Sequence, residues 1–533
     1  MEYNFFGLAF TECSFGKREV TMNEQGNRQV STLQRPTTND LDAWKAYWKA
    51  QGWPWRTEPE IDKQRQQYLA KRRSITPNIQ QGVYPFKDIK LNRADVEWLL
   101  ATHDNGRGPV DWNDEEQRRR GGLDLRGANL DHVYLGELPL ARLRGGLIWE
   151  EWSRATEEQR NMSVLHMTES KLIGTHLEGS ILIGAHLEKA EIWNTHLNSG
   201  QMNDGHFQGA TFWGTNLEGA NLCGADLRGD FNGVNLDNAS INGSTLEFTR
   251  IAGASLAGTT FRGANLKRVQ FLISSLEGVE MGGANLENAD LSNTSLEGTN
   301  MEQADVEKAN LTGAFFDKRT KINDANLAGN DGVGPMIADV YWGEINLAVV
   351  DWSKIKMLGD EYQAKQKLDM DVKKDEKKRL AEYKTAVRAN RQLAVVLGNQ
   401  GLNEDASRFA YRAQKLQRMV LRRQRKFGQY LFSGFLDLLA GYGYRPGRSV
   451  IWYLIIIIGF TLAYYVLGGL SLYPPDAFVF SIMSFHGRGF FPSLSQETNL
   501  HNPIVMLAAL EAVIGLLIEI SFIATFTQRF FGK

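Results

Sequence analysis

From Met167 to Leu227 an apolar residue returns at every fifth position, thirteen times in succession: Leu172, Leu177, Leu182, Leu187, Ile192, Leu197 and so on to Leu222 and Leu227. One residue is missing at "GDFN". The beat then resumes at Phe231 and holds for eighteen more units to Phe316. Two residues before each apolar position stands mostly Ala, Ser, Thr, Gly or Val, and "GANLE", "GADLR" and "GANLK" show the unit. A period of five fits neither the 3.6-residue helix nor the two-residue strand. Held this long, it predicts stacked structural units, each burying its inward face on the next. One large and one small inward position per five suit a chain that turns a corner every five residues, with Asn, Asp and Gly at the turns.

These units are similar to those of the pentapeptide-repeat proteins. That resemblance implies a right-handed quadrilateral β-helix with four repeats per coil. Thirty-one repeats would then make nearly eight coils, a rod about 37 Å long at a strand spacing of ~4.8 Å. Leu125, Leu130, Leu135 and Leu140 read as one earlier coil, set apart by an insertion around "WEEWSRATEEQRN". Trp342, Leu347 and Trp352 read as a terminal coil or cap. The solenoid is therefore expected over residues 121–358, with the insertion at about 144–165.

Residues 1–120 read as a mixed, mostly helical domain. "NDLDAWKAYWKAQ", with Asp40 as N-cap, "EPEIDKQRQQYLAKRR" and "LNRADVEWLLATH", with Asn92 as N-cap, predict helices. Trp44, Trp48, Trp53 and Trp55 are expected to pack in a core rather than form a binding surface. Residues 359–428 predict a basic helical hairpin linker, similar to a tetratricopeptide-like helix pair, with Asn403 as cap of its second helix. Arg418, Arg422, Arg423, Arg425 and Lys426 cluster just before an apolar stretch. This predicts a lipid-facing basic patch, because juxtamembrane cations attract anionic headgroups. The competing reading is a solvated helix face.

The most apolar sequence lies in residues 429–533. Ser449–Leu470 carries no charge and is long enough to span a bilayer; Ile504–Thr527 is apolar except for Glu511 and Glu519. Between them "PPDAFVFSIMSF" predicts a helix that starts on Pro474 and Pro475 and is too short to cross. It leads into "SFHGRGFFP". A short helix returning through Gly-rich backbone is a re-entrant loop, a form tolerated at membrane depth where it is buried in protein or lines a wet cavity.

The order helix, short helix, Gly-x-Gly loop, helix resembles the two-helix pore module of the potassium-channel superfamily, with helices at 449–470 and 504–527 and a pore loop at 474–492. The resemblance implies that Phe485, His486, Gly487, Arg488, Gly489 and Phe490 form the filter. Gly487 and Gly489 match the filter glycines. Phe485 and His486 replace Thr-Val, Arg488 the aromatic residue and Phe490 the acid. Arginine in that ring would oppose cations and favour anions, unless Arg488 pairs with Glu511 or Glu497. On the second long helix, Ala508, Glu511, Gly515, Glu519, Phe522 and Phe526 share one arc. They are expected to line the pore, with Phe522 and Phe526 as an apolar constriction. The rival expectation is that the two glutamates only bond the short helix or a neighbouring subunit.

The 533-residue chain has a formal net charge of −2 and only Cys13 and Cys223, which excludes a disulfide scaffold. The N-terminal residues do not read as a signal peptide. Arg445, Arg448, Arg529 and Lys533 flank the two spans, so both termini are expected in the cytoplasm, with the protein multi-pass in the inner (plasma) membrane. The expected function is an ion channel, anion-favouring or non-selective. A homotetramer is expected, because one copy cannot enclose a pore. The solenoid would act as a scaffold or sensor for a protein or small-molecule regulator. The alternative is a membrane-anchored interaction scaffold without conductance. Residues 170–330 hold 19 acids against 11 bases, too mild an excess for a DNA mimic, and no nucleic-acid partner is expected. No enzyme motif, cofactor or metal site is expected. His176, His186, His196 and His206 recur every ten residues, but in a four-sided coil ten residues is half a turn, so successive ones fall on opposite faces.

Overall fold

The five-residue period becomes a β-solenoid. The computed structural model describes residues 34–369, 372–468, 473–487 and 503–530. Successive corners pair with the corner one coil further on: Asn129 with His166, His166 with His186, His186 with His206, and onward through Asp226, Thr245, Asn265, Asn285 and Asp305 to Asn326. Four such columns run side by side, since Lys171, His176 and Ile181 each pair with the residue twenty positions on. Where pairing is most regular it forms a parallel five-stranded sheet, β1 (Glu191–Trp193), β2 (Thr211–Trp213), β3 (Asp230–Asn232), β4 (Arg250–Ala252) and β5 (Gln270–Leu272), in sequence order. Thr211 pairs with Asp230, so this one coil is a residue short and absorbs the deletion without a shift of register.

The inward large residues from Leu172 to Phe316 are essentially inaccessible to solvent. Many of the small inward positions are Ser or Thr, and several of their hydroxyls bond across the stack, although that of the buried Ser170 has no partner among the described residues. Thr259 Oγ1 donates to the Leu236 carbonyl (2.8 Å) and Thr299 Oγ1 to that of Leu276 (2.7 Å). The hydroxyl thus binds coil to coil at a point where a buried donor alone would be costly.

The stack does not stop at Phe316. Asn300 pairs with Lys321, Asn310 with Met336 and Phe315 with Tyr341, steps of unequal length that hide the period from the sequence. Ile322, Leu327, Ile337, Trp342, Leu347 and Trp352 continue the core. The insertion near 144–165 forms the short helices α5 (Trp149–Trp152) and α6 (Glu157–Asn161), held by Trp152 Nε1 donating to Asp204 (2.8 Å).

Both ends of the solenoid are closed by helices. At the first end lie α1 (Leu41–Ala50), α2 (Lys63–Arg73), α3 (Arg93–Ala101) and the single turn α4 (His103–Gly106). Asp40 and Asn92 cap α1 and α3 as expected, Asn92 in a reciprocal capping box with Asp95. Leu69, Phe86, Leu91, Val96 and Leu99 join the solenoid core. Trp44 and Trp48 are buried, and Trp48, Trp53 and Trp55 stack in series.

At the other end α7 (Gly359–Lys365) leads to the hairpin of α8 (Glu376–Asn399) and α9 (Asn403–Arg423). This hairpin is a cap as well as a connection. Ala389, Leu393, Leu397 and Phe409 are buried in the solenoid core, and Phe409 meets Trp352 edge-on at 6.1 Å. Gln400 bonds the backbone of Leu347 and Ile345. The last coil has no successor, so its apolar face needs such a cover. Asn403 is the first residue of α9, one position later than the cap expected of it. Beyond the hairpin come α10 (Phe427–Ala440), α11 (Pro446–Gly468), α12 (Pro474–Phe485) and α13 (Pro503–Phe530).

Candidate functional site

Two helices, over Gly447–Leu467 and Pro503–Ala524, are long and apolar enough to cross a membrane, and most of their surface is exposed. Leu454, Ile455, Ile458, Leu462 and Val466 on α11, and Met506, Leu510, Val513, Leu517 and Ile520 on α13, are open apolar side chains. Soluble proteins tend to bury such faces; here the sides turned toward α12, toward α10 and toward the other long helix are covered, and the rest is open. The short helix starts as its sequence demands, with Tyr473 as N-cap, prolines in the first turn and Asp476 beside them. Its twelve residues span about 18 Å.

Close packing of α12 on α13 depends on Gly515. A Cβ there would overlap the Phe485 carbonyl. Phe485 is buried with Ile457 of α11 and Ile518 of α13. Glu511, fully buried, receives the Tyr464 hydroxyl at 2.7 Å, and its other oxygen lies 2.5 Å from Ser481 Oγ. One carboxyl group therefore ties α11, α12 and α13 together. At the end of α12, His486 Nδ1 pairs with Glu519 Oε1, and Nε2 faces the Tyr453 hydroxyl at 3.4 Å. Gly487 follows with φ of +66°, a left-handed conformation that a residue without Cβ adopts readily.

The arc expected to line a pore is thus divided. Within one chain Ala508, Glu511 and Gly515, expected to line a pore, are covered by α11 and α12, where Glu511 and Gly515 serve packing. The rival reading of Glu511, a bond to the short helix, is what the structure has. Glu519 keeps about a third of its side chain exposed, and Phe522 and Phe526 are open, their rings stacked at 6.0 Å. Of the filter residues, Phe485, His486 and Gly487 are described. Arg488, Gly489 and Phe490, and the proposed partner Glu497, lie outside the described residues.

The basic cluster is also divided. Arg418 pairs with Asp437 (3.0 Å), and Arg423 pairs with Glu376 (2.6 Å) while lying over the Tyr383 ring. These two, expected to face lipid, make ion pairs within the chain. Arg422, Arg425 and Lys426 remain exposed. They stand directly before α10, whose Phe427, Leu431, Phe432, Phe435 and Leu438 form an open apolar face.

Sequence reasoning missed Asp437. It accepts from Tyr411 Oη (2.8 Å), Arg418 (3.0 Å) and Arg448 (3.3 Å), joining α9, α10 and the start of α11. It also missed Tyr464 and Ser481. The available signal was a hydroxyl-bearing residue in each of two apolar helices and an acid in a third.

The chain matches the family described as "Pentapeptide repeats", in eight copies over residues 206–229, 230–268 and 274–317. The solenoid is a pentapeptide-repeat domain. No curated protein matches the chain. Among solved structures it is similar to HetL of the cyanobacterium Nostoc sp. strain PCC 7120, a pentapeptide-repeat protein involved in regulating heterocyst differentiation. The identity is 16%, over 47% of this chain and 94% of that one, with a TM-score of 0.31. It is also similar to the plasmid-mediated fluoroquinolone resistance protein QnrB1, at 20% identity over 36% of this chain and 91% of that one (TM-score 0.25). A third likeness is to Rfr23, a pentapeptide-repeat protein of the cyanobacterium Cyanothece 51142, at 26% identity over 28% of this chain and 88% of that one (TM-score 0.13).

Proposed function

We propose that the chain is the subunit of a membrane ion channel, in which the pentapeptide-repeat solenoid is a cytoplasmic scaffold or sensor and the C-terminal helices form the pore. The observation that carries the reading is the packing of α12. A helix too short to span is wedged between two spans by Glu511 and Gly515, and it delivers His486 and Gly487 to the open half of α13. A plain anchor has no use for a third, short helix or for two intramembrane carboxyl groups.

In this reading four copies surround the ion path and the "HGRG" turn is its narrow part. His486, held by Glu519, fixes the entry to that turn. Arg488 opposes cations, so the pore favours anions or is non-selective. Phe522 and Phe526 form the apolar constriction. The protein sits in the inner membrane with both termini cytoplasmic, and Arg422, Arg425 and Lys426 rest on anionic lipid. The Asp437 joint passes movement of the solenoid cap to α11. A protein or small molecule bound along the solenoid would be the stimulus; nucleic acid is not expected, nor is catalysis.

The test is current through planar bilayers containing the purified protein, with subunit number measured by mass photometry. Tetramers that conduct support the reading. A monomer or dimer, or silent tetramers, would favour the alternative, an anchored interaction scaffold.

A further inference from the structure

The ten-residue spacing of the histidines does place successive ones on opposite faces. His166, His186 and His206 stack in one column, with ring centroids 4.7 and 4.6 Å apart; His176 and His196 stack in another, 4.7 Å apart and nearly parallel. Both columns carry the same local motif, His-Leu-Glu, at 176–178 and 186–188. Its two copies differ in how the glutamate is satisfied. Glu188 accepts from His186 Nδ1 through one oxygen (2.8 Å) and from Thr168 Oγ1 through the other (3.2 Å). Glu178 pairs with His176 Nδ1 at 2.9 Å through Oε1, while Oε2 is buried and has no hydrogen-bond partner among the described residues. Glu178 is 5% exposed. A buried carboxylate oxygen without a donor costs stability unless a cation completes it.

His176, Glu178 and His196 each present a ligand atom, and these atoms lie within 4.8 Å of one another. We propose that these three residues bind a divalent first-row transition-metal ion on the outer face of the solenoid. Two imidazole nitrogens and one carboxylate oxygen suit zinc or its neighbours rather than calcium or magnesium, and leave a position for water or a partner's ligand. Metal–nitrogen distances of ~2.1 Å require the donors to close up slightly. The rings of His176 and His196 lie nearly parallel, so both must tilt toward the ion to converge on it, and His196 is free to do so at the exposed surface. Burial lowers the pKa of His196, and the neighbouring His176 adds to this. The ligands come from two adjacent coils, so the ion would staple them. This inference is independent of the channel reading.

The experiment titrates the full-length, detergent-solubilised protein, first stripped with chelator, with Co²⁺ as a visible-absorbing probe and with Zn²⁺ by calorimetry. The expected result is one ion per chain at this site. His196→Ala, which removes an exposed side chain, and Glu178→Gln, which keeps the shape, should each weaken binding at least about tenfold, the scale reached even by outer partners of metal sites. His206→Ala, in the other column, should bind as the unaltered protein does. Retained binding in both His196→Ala and Glu178→Gln overturns the proposal. So does equal loss in His206→Ala, or no uptake of either metal by the unaltered chain.

Discussion

Leu256 shows what a single inward position carries. It is 2% exposed and serves the coil on either side. Leu256→Asp should lower the stability of the solenoid by about 4 kcal/mol or more, as an unpaired buried charge does, and thermal melting followed by circular dichroism reads it directly. Asp360 is the natural counterexample, a carboxylate buried at 3% exposure that accepts from the Ile337 N–H at 2.8 Å. Burial pushes its pKa up to about 6, against the pull of the Ile337 and Ala338 amides. The folded state therefore holds the proton more tightly than the unfolded chain. Its protonated form is fully favourable below the unfolded value near 4, and stability falls as pH rises through the folded value of about 6. Asp360→Asn keeps an acceptor without the charge. It should remove this decline and raise stability at pH 8 by up to about 3 kcal/mol. A melting curve that keeps the decline between pH 4 and 6 would show another group to be responsible.

At the scale of the element, the joints between helices matter most. Gly515→Val places branched carbon against the Phe485 carbonyl, a backbone atom that cannot step aside. It should separate α12 from α13 at a cost of about 1–3 kcal/mol or more, visible as a lower melting temperature in detergent. Asp437→Asn weakens the grip on Arg418 and Arg448. Trypsin should then cut at Arg425 and Lys426, between α9 and α10, several-fold faster than in the unaltered protein. The legibility of these elements differed for physical reasons. A five-residue beat fits neither helix nor strand and must mark stacked units, so the inward positions from Met167 to Phe316 could be read directly. Beyond Phe316 the steps lengthen at "DKRT" and "AGNDGVG", and the beat is lost although Ile322, Ile337 and Trp342 still point inward. The cap made by Leu393, Leu397 and Phe409 could not be read, because an amphipathic hairpin does not name what it covers. Glu511 stood out as an acid in an apolar helix. Its partners Tyr464 and Ser481 lie 47 and 30 residues away, a proximity set by packing.

In the whole molecule a solenoid capped at both ends joins three packed helices through Asp437 and the α8–α9 hairpin. In the proposed function these helices conduct ions and the residues after His486 set their charge preference. The most direct test is the reversal potential of the purified protein in a planar bilayer under a salt gradient, compared with that of Arg488→Gln. A conducting pore should give channel currents for the unaltered protein, with a reversal potential on the anion side or near zero, and a shift toward cations in the variant with the subunit number unchanged. Tetramers without current, or a variant identical in conductance and reversal potential, would contradict it.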